Sequence, residues 1–251
     1  MTFTFYLGAH HREWLATSDV PLFVSRRELA RGKKLPRART PWALDSGGFT
    51  ELSLNGRWTI TAAQYATEVR RYRDEVGMLQ WAAPQDMMCE PKMIERTGLS
   101  IDEHQRLTIE NYIELRALAP ELPIIPVLQG WSLGDYWRHQ EAYELAGVRL
   151  AELPLVGLGT VCRRQHMTVV SGVVAALKAD GLKLHGFGVK MQGLRAFAHN
   201  LASADSMAWS YNARRNPQDR IAGHTHKSCS NCIEWAMGWR REALDSIARA
   251  A

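Results

Sequence analysis

The chain has 251 residues, of which 46% are hydrophobic and 23% charged, and 31 Lys and Arg against 26 Asp and Glu leave a net charge of +5. That balance is globular and excludes global disorder, and with no run of about 18 apolar residues a membrane-spanning helix is excluded too. Four cysteines in a chain this long make no disulfide framework, and the modest charge permits a polyanionic partner without requiring one.

The N-terminus, Met1-Thr2-Phe3-Thr4-Phe5-Tyr6, has no basic segment followed by an apolar one. No secretion signal is expected, and the chain is assigned to the cytoplasm. Short apolar runs then recur at Phe3–Leu7, Pro21–Val24, Trp42–Leu44, Met78–Ala83, Ile124–Leu128, Leu155–Leu158, Leu182–Val189 and Ser206–Trp209. They are continuous rather than alternating, as buried parallel strands are. Helical stretches separate them. Thr61-x-x-Gln64 is a capping box opening a helix with Tyr65, Val69, Tyr72 and Val76 on one face. Ser100-x-x-Glu103 opens another, which must stop before Pro120. Further helices are marked by Tyr136, Tyr143 and Ala146, by Val169 to Leu177, by Leu194 to Leu201 and by Ile233 to Ile247.

Eight strands alternating with helices predict an α/β fold, a (β/α)8 TIM barrel closed by a C-terminal metal-bound helix. The alternative is an open doubly wound sheet, but the first βα turn, Gly8-Ala9-His10-His11, lacks the glycine fingerprint of that fold. No linker divides the chain, so residues 1–251 read as a single domain. One composition shift stands out. Between Arg26 and Arg39 seven basic residues face one acid, Glu28. This is either a solvated loop or an arm that contacts phosphates.

In such barrels catalytic residues sit at the C-terminal strand ends. Those ends read Asp45-Ser46-Gly47-Gly48-Phe49, Pro84-Gln85-Asp86, Gln129-Gly130, Gly157-Leu158-Gly159-Thr160, Gly186-Phe187-Gly188 and Ala204-Asp205-Ser206. Taken singly, each aspartate reads as a helix cap and each glycine pair as a turn. Together they would bring three carboxylates, an amide and two aromatic rings to one mouth. Two carboxylates suit nucleophilic and acid–base work on a glycosidic carbon. A third carboxylate with an amide suits the edge of a heterocycle such as guanine, and Phe49 and Phe187 suit its two faces.

These motifs carry a resemblance to a known family. Asp45-Ser46-Gly47-Gly48-Phe49 resembles the DSGGF/Y signature of the tRNA-guanine transglycosylases. Asp86 with Met87-Met88-Cys89-Glu90-Pro91, Val127-Leu128-Gln129-Gly130, Gly157-Leu158-Gly159, Phe187-Gly188-Val189, and Asp205 ahead of Asn212-Ala213-Arg214 are similar to its further segments, in order. The opening Phe5-Tyr6-Leu7-Gly8 with Trp14-Leu15, and the segment from His226 to Cys232, look more like its 7-deazapurine DNA-modification branch, known from phages and bacterial genomic islands. The resemblance implies exchange of guanine in DNA for a 7-deazaguanine such as 7-cyano-7-deazaguanine. Asp205 would be the nucleophile and Asp45 the general acid/base. Asp86 and Gln129 would read the base, helped by backbone N–H groups at Gly157, Leu158 and Gly159. Phe49 and Phe187 would sandwich it, and Ser46 would support the pocket. The partners implied are DNA with a flipped or single-stranded guanine, the free 7-deazaguanine base, and room for a helper protein that opens the duplex.

Cys229-x-x-Cys232 with His226 and His224 reads as a structural Zn(II) site of Cys2His2 type. A redox CxxC is the alternative. The family pattern is C-x-C-x2-C followed by a distant His, and this sequence departs from it, so the fourth ligand is either His224 or a distant residue such as His199. Cys89 and Cys162 have no partner at metal spacing, and His185 reads as a satisfied core residue. Trp131 and Trp209 read as mouth residues. The competing functions are the same exchange on tRNA, a zinc-containing nucleic-acid-binding protein without catalysis, and a barrel enzyme acting on free nucleosides. The intact trio of aspartates weighs against the second. The basic residues, with Arg214, Arg215 and Arg220, weigh against the third. The length, short for an added RNA-binding domain, favours DNA.

Overall fold

The computed structural model describes residues 3–161 and 167–250, so Cys162 lies outside the described residues. In chain order these form β1 (Thr4–Ala9), α1 (Trp14–Thr17), β2 (Leu22–Ser25), α2 (Arg26–Ala30), β3 (Trp42–Asp45), α3 (Gly48–Asn55), α4 (Ala62–Val76), β4 (Leu79–Ala82), α5 (Pro91–Thr97), α6 (Ile101–Leu118), β5 (Val127–Leu128), α7 (Leu133–Leu145), β6 (Val156–Leu158), α8 (Met167–Ala179), β7 (Leu184–Gly186), α9 (Met191–Phe197), β8 (Ser203–Ser206), α10 (Ala208–Arg215) and α11 (Ile233–Ala250). The eight strands make one curled parallel sheet in the order β4-β3-β2-β1-β8-β7-β6-β5. At its edges Ala82 of β4 forms a single parallel bridge with Ile124, just before β5.

The helices start where local chemistry dictates. The Thr61 and Ser100 capping boxes are both formed, and Ser132 with Asp135 makes a third at the start of α7. α6 stops at Leu118, ahead of Pro120. Tyr65, Val69, Tyr72 and Val76 are all buried, so the inner face of α4 is the one its sequence pattern indicated. The main core lies between strands and helices. A second cluster, Tyr6, Phe23, Ala43, Trp81 and Ile125 with Leu155 and Phe187, fills the inside of the curl. No described helix is long and apolar enough to cross a membrane.

One expectation is corrected. The last strand begins at Ser203, three residues before Ser206, and the chain turns into α10 at Ala208. Trp209 gave the stretch its apolar look, yet it belongs to the first turn of α10 and is buried. There it stacks on Trp14 at 5.6 Å, and its Nε1 donates to the Gly8 carbonyl. The basic run, read as a solvated loop or a phosphate arm, is partly held within the chain. Arg26 is buried and pairs with Glu68 at 2.5 Å, Arg27 pairs with Glu51, and Arg31 with Glu28. Beyond α2 the chain crosses to the N-terminal ends of the strands. There Arg37 donates to the Asp74 and Glu75 carbonyls, the Ala38 N–H donates to Val76, and Arg71 holds the carbonyls of Gly32 and Lys33. Lys33, Lys34 and Arg39 are exposed at the end of the sheet opposite Asp45 and Asp205.

Candidate active site and metal centre

A cavity of about 370 Å³ opens at the C-terminal ends of the strands, within the size range of small-molecule sites. Asp45, Ser46, Phe49, Asp86, Gln129, Gly159, Phe187 and Asp205 border it. His10, Phe23, Ser25, Met88, Glu90, Thr160 and Met207 also border it, none of which the motifs singled out for this role. Ser25 was within reach of sequence reasoning, since it ends β2 and pairs in register with Asp45.

Asp45 accepts hydrogen bonds from the Gly47 N–H and the Ser25 hydroxyl. Burial raises its pKa, Asp205 repels its charge, and the two hydrogen bonds oppose the rise. Asp86 lies deeper. Burial raises its pKa to about 7, with repulsion from Asp45 and Glu90 adding and the bond from Gln129 opposing. The Gln129 amide is clamped at both ends. Its Nε2 donates to Asp86 Oδ2 at 2.5 Å, and its Oε1 accepts from the Thr160 hydroxyl at 2.5 Å. Thr160 has a φ of +58°, an unfavourable place for a β-branched residue. Its hydroxyl offsets that strain by also accepting from the Cys89 N–H. The Gln129 backbone is equally fixed. Its N–H donates to His139 Nδ1 and its carbonyl accepts from Gln105. Burial lowers the His139 pKa to about 4, so the ring is neutral and can accept.

Gly159 must be glycine here, because a Cβ would lie 2.2 Å from Gln129 Nε2. Gly157 has another reason, since its Cβ would lie 2.5 Å from the Phe187 ring. Gly157 and Leu158 do not border the cavity, contrary to expectation. Leu158 is fully buried, and the N–H groups of Gly157 and Gly159 are taken by the Pro126 and Leu128 carbonyls within the sheet.

Asp205 is the penultimate residue of β8, with its Oδ1 accepting from the Gly188 N–H at 2.9 Å and lying 3.2 Å from His185 Nε2. α10 follows and forms part of the rim. Its Ser210 hydroxyl meets His10 Nε2 at 2.7 Å, and Tyr211, Arg214 and Arg215 are exposed, with the Arg215 guanidinium 4.8 Å from the Tyr211 ring centre. Of the two expected mouth tryptophans, neither borders the cavity. Trp209 is in the core, and Trp131 is partly exposed before α7.

Between α10 and α11, His224, His226, Cys229 and Cys232 place one donor each within 4.8 Å of one another. His224 Nδ1 to His226 Nε2 is 3.3 Å, Cys229 Sγ to His226 Nε2 is 3.1 Å, and His224 Nδ1 lies 3.8 and 3.7 Å from the two sulfurs. A tetrahedral zinc ion needs N···N of about 3.3 Å and N···S of about 3.6 Å, so the donor set can hold such a metal. His224 Nε2 meets Glu234 Oε2 at 3.0 Å, the carboxylate that orients a ligand imidazole. His199 is not in the cluster. It lies in the turn before β8, against Asn200.

The sequence model of the DpdA family, DeoxyPurine in DNA protein A, matches residues 1–250. The chain belongs to this family. DpdA proteins are the DNA-guanine transglycosylases of 7-deazapurine DNA modification, so DNA is the substrate that membership implies. No curated protein matches the chain.

Proposed function

We propose that this DpdA protein exchanges guanine in DNA for a free 7-deazaguanine base through a covalent bond between Asp205 and C1′ of the nucleotide. The observation that carries the reading is the convergence of Asp45, Asp86, Gln129 and Asp205 on one cavity at the strand ends. Gln129 spends one Nε2 hydrogen on Asp86, and its second is suited to a base carbonyl. The Asp86 carboxylate suits the ring N–H and amine beside that carbonyl. Phe187 and Phe49 provide apolar faces for the ring. As Asp205 attacks C1′, the bond to guanine N9 breaks and Asp45 gives its proton to the departing base. Asp45 then takes the N9 proton of the incoming base, whose N9 displaces Asp205 from C1′ with net retention. The target nucleotide must leave the stack to reach Asp205, and the Arg214, Arg215 and Tyr211 rim is where its strand would pass.

We further read residues 1–251 as one (β/α)8 barrel, its edges meeting at the Ala82–Ile124 bridge. The four-donor cluster is read as a structural zinc site that ties α11 to the rim. A tetrahedron of four protein ligands has no open position for catalysis.

The test supplies duplex DNA, single-stranded DNA and tRNA with labelled guanine or 7-cyano-7-deazaguanine. Label should enter DNA, and a denaturation-stable protein–DNA adduct should form. Asp205→Ala should lower both by about 10⁴-fold or more. Label entering tRNA alone would refute the DNA assignment.

A further inference from the structure

His185 lies in β7 with no accessible surface. Aromatic rings surround it, with Trp81 at 4.4 Å, Phe187 at 4.8 Å, Phe23 at 5.8 Å and Tyr6 at 5.9 Å between ring centres. Each nitrogen meets one polar partner. Nε2 is 3.2 Å from Asp205 Oδ1, and Nδ1 is 2.8 Å from the Ser203 hydroxyl. Burial lowers the pKa of the ring more than Asp205 raises it, so the ring is neutral with one N–H. An ionised carboxylate only accepts, which assigns the proton to Nε2 and makes the Ser203 hydroxyl the donor to Nδ1. Asp205 therefore sets the tautomer, and the Ser203 hydroxyl anchors the far side of the ring. With the Gly188 N–H, two donors hold Oδ1, and among the described residues no hydrogen bond reaches Oδ2.

We propose that His185 is a positioning residue that fixes the Asp205 carboxylate through Oδ1 and leaves Oδ2 to attack C1′. The proposal rests on the reading of Asp205 as nucleophile. The choice of side chain has a physical reason. Displacement at a glycosidic carbon passes through an oxocarbenium-like transition state. A lysine or arginine at this place would set a second cation beside the developing one and would neutralise the nucleophile. A neutral imidazole holds the carboxylate without adding charge. The aromatic cage keeps it neutral, and Ser203 keeps its N–H pointed at Asp205.

The test compares His185→Gln with His185→Asn in single turnover on a guanine-containing oligonucleotide, alongside Asp205→Ala. Gln carries an N–H to the place of Nε2, whereas Asn reaches only the place of Nδ1. H185Q should form the covalent adduct at close to the wild-type rate. H185N should be about 10²-fold slower, the cost of a misplaced reacting group. KM for DNA should be unchanged in both, with equal thermal midpoints. Equal adduct rates for the two variants, or a loss confined to KM, would overturn the proposal. If H185N does not fold, Ser203→Ala carries the test. It removes the hydrogen bond that anchors the ring at Nδ1 and so loosens the Nε2 contact to Asp205; the adduct should form about tenfold more slowly or worse, and an unchanged rate would overturn the proposal. Adduct formation by Asp205→Ala at the wild-type rate would identify the nucleophile reading itself as the failure.

Discussion

Replacing Asp86 by Asn should make the protein more stable above neutral pH while weakening its hold on the base. Asp86 is buried, and its pKa rises from 3.8 to about 7, mainly through burial. The unfolded chain releases this proton near pH 4, whereas the folded protein keeps it until about pH 7. Stability contributed by the group is therefore complete below about pH 4 and is lost as pH rises through about 7. At about 1.4 kcal/mol for each pH unit, the loss approaches about 4 kcal/mol by pH 8. Asn carries no charge and escapes it, while its carbonyl still accepts from Gln129 Nε2. Urea denaturation at pH 5 and pH 8 measures the difference. The advantage of Asp86→Asn over wild type should grow by about 3 kcal/mol between them. At pH 8, where Asp86 is ionised, kcat/KM of the variant for base exchange should lie about tenfold to hundredfold below wild type, the worth of one hydrogen bond to a charged group. An advantage that does not change with pH would refute the reasoning, because the burial cost would then not fall on the ionised carboxyl.

Gly159→Ala pushes a Cβ to within 2.2 Å of the Gln129 amide. It should raise KM for the free base about tenfold while unfolding free energy drops by about 1–3 kcal/mol, as checked by steady-state kinetics and urea melts. Cys229→Ser should lower the metal content of the purified protein, read by elemental analysis, together with its thermal midpoint. A midpoint insensitive to both this change and a chelator would argue against a structural metal. Arg214→Ala and Arg215→Ala should each reduce the slope of log K for DNA against log salt by about one, whereas Lys33→Ala and Lys34→Ala should leave it unchanged.

What the sequence revealed was mostly local. Thr61 and Gln64, or Ser100 and Glu103, cap a helix because they stand three apart, whatever lies elsewhere. The short strands were legible because burial on both faces demands continuous apolar runs. Asp45, Asp86, Gln129 and Asp205 were legible as strand-end residues, and the structure brings all four to one cavity. What escaped depends on pairing across the sheet. His185 looks like any core histidine until β7 and β8 align and place its Nε2 against Asp205. The N–H groups of Gly157 and Gly159 looked available until β5 took them. The basic run stayed open between a solvated loop and a phosphate arm because charge density along a chain does not tell which end of a sheet it reaches. α2 carries it away from the mouth, and Arg26 and Arg27 are neutralised by Glu68 and Glu51 from neighbouring helices.

The placement of charge in this DpdA protein follows from the proposed reaction. Asp45, Asp86, Glu90 and Asp205 all border one small cavity, although the chain as a whole carries +5. Two unit charges about 4 Å apart near a protein surface interact by about 4 kcal/mol, so each acid of such a pocket repels a phosphate whenever it is ionised. Arg214 and Arg215 on α10 attract one and stand outside the cavity lining. A nucleotide approaching this gradient would be sorted by its own parts. On the proposed reading its phosphates would be held at the rim, while its neutral base, rich in N–H donors on the guanine edge, would enter. The acidic interior weakens the fold through Asp86 above neutral pH, and on the proposed reading the same acidity would admit the base while keeping the backbone that carries it outside.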